Sequence, residues 1–190
     1  MNRRMLMRAA LIVAAVAVIP FAVPTTAAAK GGKEIRAEAE TTLTRLYNQD
    51  AAARNLSRRA KGILVFPEIT KGGVGIGGSY GEGVLFVGGK PSGYYSVGSG
   101  SLGLTLGAQS FSQVIMFMTP EALHSFQSSK GWEAGVDGSV VAIDEGKAAS
   151  YGTMSDPTQP VDPVVGFTFG QQGLMFDASI KGAKFTPIKR

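Results

Sequence analysis

Apolar positions recur at helical spacing between residues 34 and 60, and Ile35, Ala39, Leu43, Leu46 and Tyr47 fall on one stripe. Asn48-Gln49-Asp50 interrupts it. Asp50 is a suitable N-cap for a second helical segment, in which Ala53, Leu56 and Ala60 form a narrow apolar line with Arg54, Arg58 and Arg59 beside it. From residue 63 the period falls to two. Residues 63–66 are a short apolar run stopped by Pro67, and from Gly72 to Gly83 seven of twelve positions are glycine. Val74, Ile76 and Tyr80 share one parity; Gly73, Gly75, Gly77 and Ser79 share the other. A strand of this kind has one bulky face and one of nearly bare backbone, so the pattern predicts a flat surface against which another element lies.

The β pattern continues. Residues 84–87 are apolar on both faces, a turn is expected at Pro91-Ser92-Gly93, and residues 94–97 form a strand after it. Leu102, Leu104 and Leu106 alternate with small residues, and 113–118 reads as a central strand. Thr119-Pro120-Glu121 is a helix start, an N-cap followed by proline, and predicts a short helix over 120–128. Trp132 is expected to cap one end of the core. Further strands are expected over 139–143, 164–169, 174–179 and 185–188, with a proline loop over 152–163. The sum is an α+β fold: a strongly curved antiparallel sheet or barrel of short glycine-rich strands, an N-terminal helical segment and one short internal helix.

Composition changes this picture in three ways. The chain of 190 residues is 44% hydrophobic and 17% charged, which suits one globular domain. It has no cysteine, which excludes disulfides, thiol nucleophiles and Cys-ligated metal; with one histidine and scattered acids, neither a metal nor a cofactor is expected. Residues 1–29 read as a signal peptide: Arg3, Arg4 and Arg8, an apolar run, then Ala27-Ala28-Ala29 before Lys30. An uncleaved N-terminal anchor is the alternative. The mature domain would be residues 30–190, periplasmic or secreted, and able to associate with a membrane. Removing residues 1–29 takes three arginines from 19 basic residues and no acid, leaving 16 against 14. The remaining charge is uneven. Five basic residues and one acid lie between Arg45 and Lys61, whereas nine acids and three lysines lie between Glu82 and Asp177. Such asymmetry suits one face that meets an anionic surface. Export and the acidic middle oppose nucleic-acid binding.

Two catalytic motifs can be laid over the glycine stretch. Gly73, Gly75 and Gly78 satisfy GxGxxG, but a dinucleotide site needs a helix to open there and an acid about 20 residues on, and no acid lies between Glu82 and Glu121. Gly77-Gly-Ser79-Tyr-Gly81 satisfies GxSxG, but no helix signal follows, and His124 is the only histidine. The expectation is a protein without enzymatic activity. The helix over 50–61 is compatible with two roles: lying in a membrane interface with its arginines on phosphates, or packing on the core with a solvated basic face.

The sequence resembles the SYLF-domain family over residues 40–188. The resemblance rests on Lys61-Gly-Ile-Leu-Val-Phe-Pro67 running into Lys71-Gly-Gly-Val-Gly-Ile-Gly-Gly-Ser-Tyr-Gly-Glu-Gly83, then on Gly107-Ala-Gln-Ser-Phe111, Phe117-Met-Thr-Pro-Glu-Ala-Leu123, Gly131-Trp-Glu133 and Gly170-Gln-Gln-Gly-Leu-Met175. It implies a non-enzymatic lipid-binding domain. Eukaryotic members bind phosphoinositides, and some bind actin, with membrane contact through a basic amphipathic helix. Carried onto this sequence, the lipid-contacting residues are Arg54, Leu56, Arg58, Arg59 and Lys61. For an exported protein the implied partner is an anionic phospholipid or membrane surface, and actin binding is not carried over. The alternative is a structural or protein-interaction module of the cell envelope that uses its flat glycine-rich faces.

Overall fold

The computed structural model describes residues 30–143, 160–170, 173, 174, 180 and 182–190. The segment read as a signal peptide, most of the proline loop and residues 175–179 of a predicted strand lie outside them. The N-terminal helical pattern forms α1, Gly32–Gln49, and α2, Ala51–Ser57. Asp50 between them is extended, with φ −135°. Its N–H donates to the Leu46 carbonyl at 2.8 Å, and its carboxylate accepts from Ala53 N–H at 2.9 Å. One residue thus ends the first helix and caps the second. Ile35, Ala39, Thr42 and Leu46 of α1 and Ala52, Ala53 and Leu56 of α2 are buried.

The alternating stretches do not make several short strands. They make two long ones, β1, Gly62–Val87, and β2, Lys90–Phe117, which pair antiparallel along their lengths. The turn is Gly88-Gly89, with φ 57° and 76°. Two positive φ values in a two-residue hairpin loop are the type I′ arrangement, which glycine adopts without strain. The expected turn at Pro91-Ser92-Gly93 therefore falls inside β2. Nor does Pro67 stop its strand: the register shifts between Phe66 and Ile69, and a bulge there spares the ladder the N–H that proline lacks.

The described remainder comprises α3, Pro120–Ser128, and five shorter strands. These are β3, Trp132–Glu133; β4, Val141–Ala142; β5, Val164–Gly170; β6, Gly173–Leu174; and β7, Lys184–Ile188. Thr119 caps α3 by accepting from Ala122 N–H at 3.2 Å, as the sequence predicts. The strands form one strongly curled half-barrel. It is mixed rather than purely antiparallel, because β4 runs parallel to β5.

The long hairpin belongs to two leaves. The start of β1 and the end of β2 continue into β5 and β4; the end of β1 and the start of β2 continue into β7 and β3. Between the leaves lies an aromatic core. Phe66 of one leaf and Phe185 of the other are 5.7 Å apart, and Phe126 from α3 packs against Tyr95, Phe117 and Trp132. Trp132 is buried there. A second cluster on the other side unites Ile35, Ala39, Leu46 and Leu56 with Val65, Val84, Val114, Met116, Phe167 and Phe169.

The curl brings β1 against itself. A Cβ on Gly83 would lie 2.3 Å from the Val65 carbonyl oxygen, and one on Gly81 would lie 2.6 Å from that of Glu68. Here the bare face receives another segment, as expected, and that segment is the same strand. Farther along the hairpin, on the opposite parity, a Cβ on Gly100 would meet nothing within 4 Å, and one on Gly78 would make only an ordinary contact with the Ser99 carbonyl.

The C-terminus is tied back across β2. Arg190 donates to both oxygens of Glu82, from Nε to Oε2 at 3.1 Å and from Nη2 to Oε1, and the Tyr80 hydroxyl donates to Oε1 at 2.8 Å. Burial pushes the Glu82 carboxyl up, but the hydrogen bonds from Arg190 and Tyr80 outweigh it and hold the group below its ordinary value. A carboxylate depressed in the folded state stabilises above its unfolded value, 4.5, and loses that contribution as the pH falls through the folded one. Arg190→Ala is therefore expected to destabilise the domain modestly near neutral pH, since the pair is near the surface. The difference should vanish in acid. Denaturant melts of both proteins at neutral and acidic pH check this; a gap that persists in acid refutes it.

Candidate functional site

The basic segment after α1 divides into an inner and an outer side. Asp50 is buried, and no acid occurs again until Glu68. Arg54, Arg58 and Lys61 are exposed, whereas Arg59 is half-buried and already engaged. Arg54 Nη2 donates to the Tyr47 carbonyl, which pins one cation over the C-terminus of α1. Arg58 is the C-cap of α2, and Lys61 leads into β1 with its N–H on the Phe117 carbonyl at 2.8 Å. The outer side thus presents cations on a short, well-anchored segment.

Leu56 does not join them. It is 2% exposed and packs in the cluster beneath α1 and α2. Its expected role as a membrane-inserting residue is corrected by this placement, because the narrow apolar stripe of α2 is already used by the core. The four basic members of the predicted set keep their positions on the segment. Beside Lys61 lies a groove of about 380 Å³ between α1 and the β1–β2 turn, with the half-buried Leu43, Tyr47 and Ile63 in its wall. Sequence periodicity assigns Leu43 and Tyr47 to the buried stripe and does not reveal that they border an opening.

A second cavity, about 480 Å³, lies between α1 and the hairpin near the Pro67 bulge. Lys30, Glu38, Arg45, Glu68 and Ser112 are among its lining residues. Lys30 Nζ donates to both Glu38 oxygens, at 2.8 and 2.7 Å, and the hydrogen bond to Glu38 holds the ammonium above its ordinary value. Arg45 sits over the Phe169 ring, 5.0 Å from its centre, and its Nη2 donates to Ser112 Oγ at 2.6 Å. Nothing in the sequence singles out Arg45: it adjoins Leu46 on a helix, and its partners are dozens of residues away.

The residues of the catalytic motifs do not assemble into the geometry those motifs require. Gly73, Gly75 and Gly78 lie within β1, where a dinucleotide site would need a helix N-terminus. Ser79 Oγ is 2.7 Å from Ser99 Oγ across the hairpin, while His124, exposed on α3, contacts Ser128. Among the described residues, no helix is long and apolar enough to cross a membrane, and no group of three or more His, Asp or Glu is placed to hold a metal ion.

Residues 98–189 match the model of the Ysc84 family, described as "Las17-binding protein actin regulator". These residues belong to the SYLF-domain family. No curated protein matches the chain. The matched part runs from β2 through α3 to β7. It includes Trp132, Phe126 and Phe185, the aromatic core between the leaves. The basic segment and the glycine stretch up to Gly83 precede it. The family's described work is protein interaction.

Proposed function

We propose that this SYLF domain is a non-enzymatic docking module of the cell envelope, exported by its N-terminal segment, that binds anionic phospholipid surfaces through the α2 segment. The observation that carries this reading is the outward trio Arg54, Arg58 and Lys61 on a stretch with no exposed acid between Ala51 and Pro67. Contact is electrostatic and shallow. Apolar contact comes from the groove beside Lys61 rather than from Leu56.

Binding should require anionic lipid and weaken with salt, because exposed charges are screened over about 8–10 Å at physiological ionic strength. Each cation near an anionic surface is worth about 1 kcal/mol, so neutralising two weakens binding about thirty-fold, and reversing them costs more. Arg58→Glu with Lys61→Glu should thus lose flotation with anionic vesicles while keeping the wild-type melting temperature. Folded wild-type protein that ignores anionic vesicles at low salt would sink the reading.

A second reading is supported by the hairpin. Between Ser99 and Ser110, β2 pairs only with β1 among the described residues, so this part is a two-stranded ribbon with a free edge. Free edges accept an added strand from a partner. The family description, which names a Las17-binding protein, favours a protein partner of this sort.

A further inference from the structure

We propose that the cavity between α1 and the Pro67 bulge binds a singly charged oxyanion, a phosphodiester or a carboxylate, on Arg45. Arg45 Nε is shielded from solvent and has no acceptor. Buried donors of charged groups are seldom left so in native proteins. The guanidinium is tethered at one end: Nη2 donates to Ser112 Oγ at 2.6 Å, and Cζ lies 5.0 Å from the centre of the Phe169 ring. Ser112 in turn donates to the Pro67 carbonyl at 2.7 Å, so the hydroxyl is oriented to accept from the arginine. Among the described residues the carboxylates engaged in ion pairs belong to other cations. Glu38 and Glu68 face Lys30, Glu40 faces Arg36, and Glu82 faces Arg190. Arg45 is therefore a positioned cationic fork at the wall of a 480 Å³ cavity, a volume suited to a headgroup-sized ligand.

The surrounding charge sets the ligand class. Lys30 and Arg45 are balanced by Glu38 and Glu68, so the lining is neutral overall. A polyanion would meet two carboxylates at close range. A single negative charge with two oxygens needs only the guanidinium fork, which such groups engage bidentately; its nitrogen edge carries the orphan donor. A small outward shift of the flexible arginine would bring Nε to the ligand oxygen. The cavity shares no lining residue with Arg54, Arg58, Arg59 or Lys61, so the site stands or falls apart from docking through α2.

The test uses dimethyl phosphate, a monoanionic diester, titrated into the isotopically labelled protein and followed by amide chemical shifts. Saturable shifts at Arg45 and Ser112 are expected. Arg45→Gln should weaken binding roughly tenfold or more, the scale of a lost charge-assisted hydrogen bond. Arg45→Lys, which keeps charge but not the fork, should fall between. Should Arg45→Gln fail to fold, Ser112→Ala, which frees the guanidinium to swing, must weaken binding instead. Dianionic inorganic phosphate should bind more weakly than the diester, and the Arg58→Glu, Lys61→Glu variant should bind the diester as wild type does. Anionic vesicles then identify the source. Vesicle binding lost with Arg45→Gln marks a lipid headgroup; vesicle binding retained while the diester is lost marks a free ligand. Absence of saturable shifts, undiminished affinity in folded Arg45→Gln, equal or tighter binding of the dianion, or loss of diester binding in the α2 variant would each overturn the proposal.

Discussion

Gly83→Ala is expected to destabilise the domain by an amount at or above the top of the usual overpacking range, about 1–3 kcal/mol. The added Cβ would stand 2.3 Å from the Val65 carbonyl oxygen and 2.7 Å from the Phe66 ring. A ring at the end of a side chain could turn, but a backbone carbonyl held in a sheet cannot. Moving it would separate the two parts of β1 and open the space between the leaves, where Phe66 meets Phe185. Gly81→Ala should behave alike, since its Cβ would meet the Glu68 carbonyl at 2.6 Å. Gly100→Ala is the control: nothing lies within 4 Å of its Cβ, and its φ is not positive. Its change should stay within about 0.5 kcal/mol, as at other unconstrained surface positions. Denaturant melts of the three variants decide the matter. Equal stabilities across the set would mean that the curl does not close on these glycines.

Leu56→Ala should cost about 2–5 kcal/mol, the range for truncating a buried leucine and leaving a cavity. Leu56 is 2% exposed, and its cluster includes Ala39 and Leu46 of α1 and Val114 and Met116 of the sheet. The loss falls on stability and not on lipid contact. At a temperature where the variant is folded, it should bind anionic vesicles as wild type does. Arg58→Glu with Lys61→Glu gives the opposite pattern, with unchanged stability and lost vesicle binding. The two variants thus separate the inner and outer sides of one short segment. An unchanged melt together with lost vesicle binding in Leu56→Ala would return Leu56 to the membrane.

Helix starts and strand periodicity were legible because they are local. Asp50 and Thr119 cap helices through side-chain oxygens that reach three residues along the chain. The helix over 120–128 and the central strand over 113–118 follow from spacing and from burial on both faces. The glycine parity also told that one face of β1 must stay bare. It could not tell how long the strands run, because proline at a bulge and proline in a break look the same in a sequence. Pro67 and Pro91 both lie within strands, each at a shift of register.

The candidate site divides in the same way. The sequence located the cations Arg54, Arg58, Arg59 and Lys61, since charge and helical spacing are read directly. It placed Leu56 beside them on a stripe, and a stripe faces whichever apolar surface comes first, bilayer or sheet. Only the packed molecule decided for the sheet, because the curled hairpin offers Val65, Val84 and Val114 under α1 and α2. Arg45 was beyond reach for a stronger reason. Its partners Ser112 and Phe169 lie 67 residues away in one case and on β5 in the other, brought together by the pairing of β2 with β5. The sequence by itself determined the helices, the caps, the glycine face and the sign of the surface charge, all set by neighbours along the chain. The tertiary structure alone decided what each face meets, because the curl that brings β1 against itself depends on contacts between residues far apart in the chain.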